Sequence, residues 1–486
     1  MGAGVLDVVE TTGGRVEGLA RQGHVAFYGI PYGKAPKGEL RFAPPEPAEP
    51  WAGVRKAHEI GFAAPQTEHF VQGFAASGPQ DEDCLNLNVF TPACDGKKRP
   101  VLFWIHGGGF THGAGYEALY NGGPLAVRGD VVVVTCNYRL GALGFLYLPS
   151  IGAYGNQGLL DQALALAWVR DNAAAFGGDP DQVTIFGESA GSASVGCQVA
   201  LTQAKGLFKR AIFQSGVGRA APADVAERAA EALAAKLGGA DALRTATGEQ
   251  IARAQAGHGP VLSAASLPVD PAKHVKDGAA AGIDILIGSN RDEVKLFVPA
   301  RRDEPDEAGL IAQVRATLPK ANEGDAADLV AVYRASRQVK NLPHTNLDII
   351  DAVNSDARFR IPSVRLALAQ SAHRPTYMFL FTHASPARRG ALGACHALEM
   401  PFVFGTIDAP SQDRFAGTGP DVERLSSDMM DAWLAFTRGG NPSCPAVGDW
   451  EGYDAGRRAT MVFDTASSRL ENDPFGEERR AIEALL

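Results

Sequence analysis

One serine stands in a setting that suits a nucleophile. Ser189 is the centre of Gly187-Glu188-Ser189-Ala190-Gly191, and glycines on both sides of such a serine allow a sharp turn that exposes the hydroxyl. A serine hydroxyl attacks well only when a base takes its proton, and an imidazole base works best when a carboxylate fixes its tautomer. The pentapeptide alone is weak evidence, because a chain with 56 glycines in 486 residues contains such a match by chance about 0.3 times.

Catalysis by Ser189 would need a histidine and an acid elsewhere in the chain. In the α/β-hydrolase arrangement these residues follow in the order serine, acid, histidine, each on a loop after a strand. The downstream acid candidates are Asp292 and Glu293, which follow an apolar strand pattern at 283–287. The downstream histidines are His258, His274, His344, His373, His383 and His396. His396 has the best position, at the end of a compact glycine-bearing loop, whereas the residue types leave the choice between Asp292 and Glu293 open.

A run of glycines offers the third requirement of acyl transfer, which is a set of donors for the oxyanion. Gly107, Gly108 and Gly109 follow an apolar strand pattern at 101–105. Glycines let a backbone approach a substrate closely, and backbone N–H groups are fixed before the reaction. A flexible loop or a phosphate-binding loop is the alternative. The chain contains neither Gly-x-x-x-x-Gly-Lys-[Ser/Thr] nor the dinucleotide-binding spacing, which favours an oxyanion hole.

The elements that must position these residues alternate between strand and helix patterns. Apolar runs at 101–105, 131–135 and 183–186 predict buried central strands. Helical spacing at 161–176 predicts a helix before the last of these strands. This order predicts an α/β fold with a large, mostly parallel central sheet and helices on both faces.

The remaining patterns predict how the sheet is covered. Helical insertions around 220–260 and 303–372 are expected to cap the active-site end of the sheet. No Pro/Gly/Ser-rich linker separates them from the rest, so we expect a single domain over residues 1–486. The polar segment 66–81 is expected to be a surface loop and a candidate rim or lid. Alternating residues at 85–90 predict a half-buried strand.

Composition excludes several classes of partner. The net charge of -9 is spread along the chain without a long basic tract, so nucleic acid and anionic membranes are poor partners. No signal-peptide pattern and no run of about 18 apolar residues occurs, which predicts a cytoplasmic protein. The six cysteines are widely spaced without a Cys-x-x-Cys pair, so we expect free thiols and no metal or redox cofactor.

Ordered motifs extend over almost the whole chain. Four of them are His-Gly-Gly-Gly-Phe at 106–110, Asn-Tyr-Arg-Leu-Gly at 137–141, Gly-Asn-Gln-Gly-Leu at 155–159 and Gln-Ser-Gly at 214–216. The others lie at 26–33, 41–45, 82–89, 186–191, 291–293, 394–396, Glu399 and 440–442. With these motifs in this order, the sequence resembles the type-B carboxylesterases of the carboxylesterase and cholinesterase family. Within that family, the motifs most resemble those of bacterial p-nitrobenzyl-type esterases. The resemblance implies an α/β-hydrolase fold and the hydrolysis of carboxylic esters.

The resemblance also implies roles for single residues. Ser189 would be the nucleophile, His396 the base and acid, and Glu293 the triad acid. It therefore selects Glu293 over Asp292, which the residue types could not do. The N–H groups expected to bind the oxyanion are those of Gly108, Gly109 and Ala190. No cofactor is implied.

Three structural expectations follow from the same resemblance. Arg41 with Glu82, and Arg139 with Asp179, are expected to form structural ion pairs. Val294 follows the expected triad acid where the family usually has glycine. A positive φ at Val294 would strain the backbone, because a β-branched residue rarely adopts that conformation.

The predicted reaction is ester hydrolysis through an acyl-enzyme. Ser189 attacks the carbonyl, His396 passes the proton to the leaving alcohol, and water cleaves the acyl-enzyme by the same route. The rate should rise with pH around roughly 6 to 7, where an ordinary imidazole becomes neutral. Carbamates or activated amides are alternative substrates for the same triad. A non-catalytic binding protein is disfavoured, because the chain keeps every triad and oxyanion residue.

The sequence leaves the size of the substrate and the oligomeric state open. The expected partner is a small-molecule ester, and the protein could be a monomer or a dimer. The pocket walls are expected to include the aromatic residues Phe110, Phe297 and Phe359.

Overall fold

The computed structural model describes residues 7–69 and 74–486, which fall into two compact units. Unit one extends to Asp284 and includes Trp433–Asn441, and unit two comprises Ile285–Ala432 and Pro442–Leu486. The part of the predicted loop 66–81 at 70–73 lies outside the described residues.

Unit one contains the first twelve strands and the first eight helices. The strands are β1 Val8–Thr11, β2 Gly14–Glu17, β3 Leu19–Arg21, β4 His24–Pro31, β5 Val54–Lys56, β6 Asn86–Thr91, β7 Arg99–Ile105, β8 Val132–Cys136, β9 Tyr147–Leu148, β10 Ala153–Tyr154, β11 Gly178–Glu188 and β12 Arg210–Gln214. The helices are α1 Gly123–Gly129, α2 Gly141–Phe145, α3 Gln157–Asn172, α4 Ala190–Ala200, α5 Ala223–Leu237, α6 Ala242–Thr245, α7 Gly248–Ala254 and α8 Pro271–Lys276.

The later elements are four strands and eight helices. The strands are β13 Asp284–Asn290, β14 Thr376–Phe381, β15 Ala459–Phe463 and β16 Arg469–Asn472. The helices are α9 Glu307–Thr317, α10 Glu323–Val339, α11 Asn346–Ser355, α12 Ile361–Ser371, α13 Met400–Phe404, α14 Gln412–Phe415, α15 Pro420–Gly439 and α16 Gly476–Glu483. A 3₁₀ turn covers Glu293–Leu296, and a π-helical turn covers Asp356–Arg360 between α11 and α12.

The sheet of unit one has a parallel centre and an antiparallel edge. Its strand order is β12-β11-β7-β8-β6-β4-β3. The pairs β12–β11, β11–β7 and β7–β8 are parallel, whereas β8–β6, β6–β4 and β4–β3 are antiparallel. The α/β prediction and the three central strands are confirmed. The sheet is mixed, because the strands before β7 return without crossover helices.

Strand β6 is more buried than its alternating pattern predicts. All six of its residues are buried, so the prediction of a half-buried strand is wrong. The polar positions are tolerated because their amides are hydrogen-bonded. Asn88 donates to the Thr135 hydroxyl at 2.9 Å and accepts from the Gly29 N–H, and Asn86 donates to the Phe62 carbonyl at 2.9 Å.

Unit two carries its own run of strands, in the order β16-β15-β14-β13. Strands β13, β14 and β15 are parallel, and β16 is antiparallel to β15. Helices α9 to α11 and α16 share one apolar core, in which Leu310, Val330, Ile349 and Ile482 are buried. The predicted insertions are helical, since α5 to α7 lie within 220–260 and α9 to α12 within 303–372. Their capping role stays a prediction.

One predicted ion pair is confirmed and the other is wrong. The Arg41 guanidinium donates to both carboxylate oxygens of Glu82, at 2.7 and 2.6 Å. Arg139 pairs instead with Asp161, through bonds of 2.9 and 2.6 Å. Asp161 lies on α3 with no solvent exposure, whereas the Asp179 carboxylate, near the start of β11, accepts from the Asp181 N–H in an exposed setting. Sequence spacing could not distinguish the two carboxylates.

Removal of the Arg139–Asp161 ion pair should destabilise the protein strongly. Asp161→Asn leaves a buried guanidinium without its counter-charge, so the free energy of unfolding should fall by about 3–5 kcal/mol. Denaturant unfolding of the variant measures this loss. Asp171→Asn on the same helix is the matched control, because its partner Arg170 is 55% exposed and exposed pairs contribute little. Equal losses in the two variants would contradict the prediction.

All six cysteines are free thiols, and Cys84, Cys136, Cys197 and Cys395 are buried. The expectation of free thiols is confirmed. Among the described residues, no helix combines the length and apolarity needed to cross a membrane.

Candidate active site

Ser189 lies at the turn between the end of β11 and the start of α4. Its φ and ψ are 57° and -119°, a strained conformation for a residue with a side chain. Two backbone hydrogen bonds hold the turn, since the Ser189 N–H donates to the Gln214 carbonyl and its carbonyl accepts from Ala193, both at 2.9 Å. Such strain persists only where the surroundings over-determine it.

The glycines around Ser189 are required by close backbone contacts. A Cβ at Gly191 would overlap the Ile105 carbonyl at the end of β7. A Cβ at Gly187 would lie 2.5 Å from the Gly191 carbonyl carbon. The Gly-x-Ser-x-Gly pattern therefore marks a real elbow in this fold and not a chance match.

The glycine run after β7 forms a tightly held turn. Gly108 and Gly109 have φ of 104° and 64°, and the Gly108 carbonyl accepts from the N–H groups of Thr111 and His112 at 3.1 and 3.0 Å. Gln66 fastens the end of the turn, because its amide donates to and accepts from the backbone of Gly113. The loop is thus fixed, as an oxyanion site requires.

The three candidate oxyanion donors are located in unit one. They are the backbone N–H groups of Gly108, Gly109 and Ala190, the last being the first residue of α4. Within the described residues these N–H groups have no acceptor. Ala190 is buried, Gly108 is partly buried and Gly109 is exposed. A buried donor without a protein acceptor, such as the Ala190 N–H, is uncommon and suits a ligand oxygen.

In unit two, Glu293 and His396 form a buried hydrogen-bonded pair. The Glu293 Oε2 lies 2.6 Å from His396 Nδ1, and neither side chain is exposed. The other carboxylate oxygen accepts from the Asn290 N–H at 2.7 Å. Because the carboxylate can only accept, Nδ1 donates, and this tautomer places the basic lone pair on Nε2.

Asp292, the other acid candidate, is engaged elsewhere. Its carboxylate lies 2.8 Å from the Arg291 guanidinium and 3.6 Å from that of Arg337, and it accepts from the Ala394 N–H. Burial acts to raise the pKa of Asp292, but the guanidinium groups outweigh it and hold the pKa well below its usual range. Asp292 is therefore charged at neutral pH and pairs with arginine side chains, and Glu293 is the acid that bonds His396.

The strain expected at Val294 does not occur. Val294 is absent from the residues with positive φ and lies inside the 3₁₀ turn that begins at Glu293. Its N–H donates to the Ser355 hydroxyl at 3.1 Å. A helical conformation suits valine, so glycine is not required at this position.

The other histidine candidates have different surroundings. His383 bonds the Ala416 carbonyl and the Thr465 hydroxyl, which is a structural role. Burial lowers the pKa of His258 to about 4. His344 is exposed, and its Nδ1 lies 3.0 Å from the carbonyl oxygen of Leu342. In the part of the chain that the structure describes, no hydrogen bond joins any of these three to a carboxylate.

Sequence reasoning missed Asn290, the last residue of β13. Its side-chain amide donates to the Cys395 carbonyl at 2.7 Å and to the Glu399 carboxylate at 2.6 Å. Together with its N–H bond to Glu293, Asn290 ties the acid-bearing turn to the histidine-bearing segment. No periodicity marks this residue, since asparagine at a strand end usually means only a turn.

Two of the three predicted wall residues flank His396. The rings of Phe297 and Phe359 lie 4.9 and 5.0 Å from the imidazole, centroid to centroid. Phe110 in unit one packs on Phe145 at 5.1 Å and is 6% exposed. Phe110 is thus largely a core residue.

Comparison with known proteins places this geometry in a family. The model of the carboxylesterase family matches residues 6–480. The chain belongs to this family. This carboxylesterase is 39% identical to the para-nitrobenzyl esterase of Bacillus subtilis (strain 168), over 98% of each chain. It is 35% identical to a phenmedipham hydrolase of Pseudarthrobacter oxydans, over 96% of this chain and 97% of that protein.

Solved structures agree with the family assignment. A PNB esterase superposes with a TM-score of 0.88 at 38% identity, covering 98% of this chain and 99% of its own. A Geobacillus stearothermophilus carboxylesterase solved at pH 6.2 also has a TM-score of 0.88, at 39% identity and the same coverage. This carboxylesterase therefore has the α/β-hydrolase fold and is a carboxylic ester hydrolase.

Proposed function

We propose that this carboxylesterase works through a triad of Ser189, His396 and Glu293. The observation that carries the proposal is the buried 2.6 Å bond between Glu293 and His396, which sets the tautomer that a general base needs. Ser189, at a strained elbow between β11 and α4, stands where the family pattern has the nucleophile. The order serine, acid, histidine along the chain also fits.

The proposed reaction has two halves. His396 takes the proton of Ser189 as the hydroxyl oxygen bonds to the ester carbonyl carbon, and the proton then goes to the leaving alkoxide. Water next attacks the acyl-enzyme, with His396 again as base, and the Ser189 oxygen leaves with the proton returned to it. Glu293 stays charged and stabilises the imidazolium in each half.

We propose that Gly108, Gly109 and Ala190 bind the oxyanion of both tetrahedral intermediates. Their N–H groups belong to a fixed turn and to the first residue of a helix, so they need no reorganisation during the reaction. The positive end of the α4 dipole adds to the stabilisation.

Alanine substitutions in the glycine turn test the oxyanion assignment. Gly108→Ala should lower kcat by about 10²- to 10³-fold, as misplacing one donor does. The added methyl group would overlap the His112 carbonyl and displace the peptide. Gly109→Ala should cost less, because only the Thr111 hydroxyl, at 3.8 Å, lies near its Cβ. Steady-state kinetics with p-nitrophenyl acetate measure both.

Gly206→Ala is the matched control for these variants. Gly206 also has a positive φ, of 80°, but its Cβ would meet nothing within 4 Å. It should keep the kcat of the wild type. Equal losses at Gly206 and Gly108 would show a general folding effect and would contradict the assignment.

A labelling experiment tests the nucleophile directly. An organophosphate should add its phosphoryl group to the peptide that contains Ser189, as mass spectrometry of a digest would show. Labelling at another serine would overturn the proposed triad.

The substrate is proposed to be a small carboxylic ester, with carbamates or activated amides as the alternative. The similarity to a phenmedipham hydrolase makes phenmedipham a useful test compound. A panel of aryl esters, carbamates and anilides that varies the acyl and alcohol sizes separates the alternatives through kcat/KM.

We also propose a bacterial, cytoplasmic enzyme. The two relatives described above are bacterial, and four buried free thiols are typical of a reducing compartment. Cell fractionation with a periplasmic marker tests the compartment, and light scattering distinguishes a monomer from a dimer.

A further inference from the structure

Unit two contains a buried cluster of polar side chains that the proposed reaction does not use. We term it the Arg360 cluster, and its members are Tyr333, Asp356, Arg360 and Glu478. Each is at most 5% exposed. Arg360 donates to both carboxylate oxygens of Asp356, at 2.6 and 2.5 Å, and the Tyr333 hydroxyl donates to Asp356 at 2.5 Å. The Glu478 carboxylate of α16 lies 4.0 Å from the same guanidinium.

The cluster places two buried carboxylates around one cation. Desolvation, then the charge of Asp356, raise the pKa of Glu478 to about 7 despite the opposing charge of Arg360. The other polar and charged groups around Glu478 are Ser336 and Arg337 of α10 and, on α16 itself, Arg479, which is paired with Asp473 and Glu483. Near neutral pH, Glu478 therefore changes charge inside a protein core.

The cluster is built on the π-helical turn Asp356–Arg360. The turn is closed by a bond from the Ile361 N–H to the Asp356 carbonyl, and the ion pair joins its first and last side chains. π-Helical turns are rare and occur mostly as single turns within α-helices. The cluster supports this turn, together with a bond from Arg360 to the Pro474 carbonyl just before α16.

The turn contacts His396, and the residue before it contacts the neighbour of Glu293. Phe359, the fourth residue of the turn, is the ring 5.0 Å from the His396 imidazole. Ser355, the residue before the turn, accepts the hydrogen bond from Val294, next to Glu293. A displacement of the turn would therefore move Phe359, which packs beside the His396 imidazole, together with Ser355, which bonds the residue next to Glu293.

We propose that the Arg360 cluster, with helix α16, is a clamp that positions His396 and Glu293 through the π-helical turn, and that ionisation of Glu478 loosens it. The inference rests on the proposed function, because it assigns His396 and Glu293 their catalytic roles. The four cluster residues are positioning residues, since they act through Phe359 and Ser355 and touch no reacting atom.

The sign of the pH effect follows from the raised pKa. A carboxyl group that binds its proton more tightly in the folded state stabilises that state at low pH. The stability is lost as the pH rises from the unfolded value of 4.5 through about 7. Wild-type protein should consequently have a looser clamp at pH 8.5 than at pH 5.5.

Two substitutions of Glu478 and a matched control test the clamp. Glu478→Gln keeps the shape of the side chain but is neutral at every pH. Glu478→Ala removes the contacts of this side chain with the rest of the Arg360 cluster at every pH. Glu477→Gln changes the exposed neighbour on α16. For each full-length variant, kcat and KM for p-nitrophenyl acetate and Tm are measured from pH 5.5 to 8.5.

The clamp predicts different pH profiles for these variants. Glu478→Gln should match wild type at pH 5.5 and exceed it in kcat and Tm at pH 8.5, with a kcat gain of about two- to thirtyfold. Glu478→Ala should lower kcat at both pH values with little change in KM. Glu477→Gln should follow the wild-type profile throughout.

Each result either supports or overturns the clamp. A Glu478→Gln profile that superimposes on wild type, or a Glu478→Ala protein with lower Tm and unchanged kcat, would overturn it and leave the proposed function standing. Wild-type and Glu477→Gln proteins that fold but hydrolyse no ester would instead overturn the proposed function, and with it the catalytic part of the clamp.

Discussion

Ser189→Ala should lower kcat for p-nitrophenyl acetate by about 10⁴- to 10⁶-fold, the loss typical of removing a serine nucleophile. The alanine has no oxygen to form the acyl-enzyme, so the remaining rate would come from substrate binding and the oxyanion donors. The backbone turn is held by bonds to Gln214 and Ala193 that the substitution leaves in place. Stopped assays at high enzyme concentration measure the residual rate.

Ser194→Ala is the control for this loss. Ser194 lies farther along α4, is fully buried, and accepts a bond from Gln162. Its replacement should change Tm more than kcat. Full activity in Ser189→Ala, with Tm unchanged, would refute the nucleophile assignment.

Glu293→Gln should lower kcat by about 10³- to 10⁴-fold while leaving KM nearly unchanged, because an amide in this position no longer stabilises the imidazolium. Glutamine can also donate to His396 Nδ1, which favours the wrong tautomer. The carboxylate is fully buried and 2.6 Å from the imidazole, so water cannot replace it. Single-turnover kinetics with p-nitrophenyl acetate separate loss of acylation from loss of binding.

Asp292→Asn provides a control at the adjacent, equally buried position. It should keep kcat, because Asp292 bonds Arg291 and the Ala394 N–H and not His396. It should destabilise the fold by about 3–5 kcal/mol, since Arg337 and Arg291 lose a counter-charge. A larger loss of kcat in Asp292→Asn than in Glu293→Gln would reverse the assignment of the acid.

The Asp292 control also has a defined pH dependence. Its depressed pKa means that its contribution to stability is present above the unfolded value and is lost as the pH falls. The difference in Tm between wild type and Asp292→Asn should therefore shrink below about pH 4. A difference that grows in acid would contradict the ion-pair role.

Local patterns predicted the elbow correctly because its causes are local. The glycines beside Ser189 are needed by the turn itself, and the apolar run of β11 is buried on both faces. The same holds for β7 and its glycine run. Helix α3 covers Gln157–Asn172, which is four residues earlier at each end than the predicted 161–176, and a 3₁₀ turn follows at Ala173–Phe176.

Long-range contacts decided what these patterns could not. Arg139 pairs with Asp161 and not with Asp179, because α3 brings the Asp161 carboxylate into the core. The polar residues of β6 are buried because their amides find partners on other segments. No sequence signal distinguishes these outcomes, since each depends on a residue distant in the chain.

Local residue patterns were sufficient to predict the serine elbow, the glycine turn after β7 and, through ordered motifs, the carboxylesterase family. The surroundings of the two adjacent carboxylates became clear only from the three-dimensional structure. Asp292 faces Arg337 and Glu293 faces His396. The structure also revealed the buried Arg360 cluster and the hydrogen bonds of Asn290 to Glu293, Cys395 and Glu399. The physical reason is that charge pairing and burial depend on which distant side chains meet, whereas a strained turn depends on its own residues.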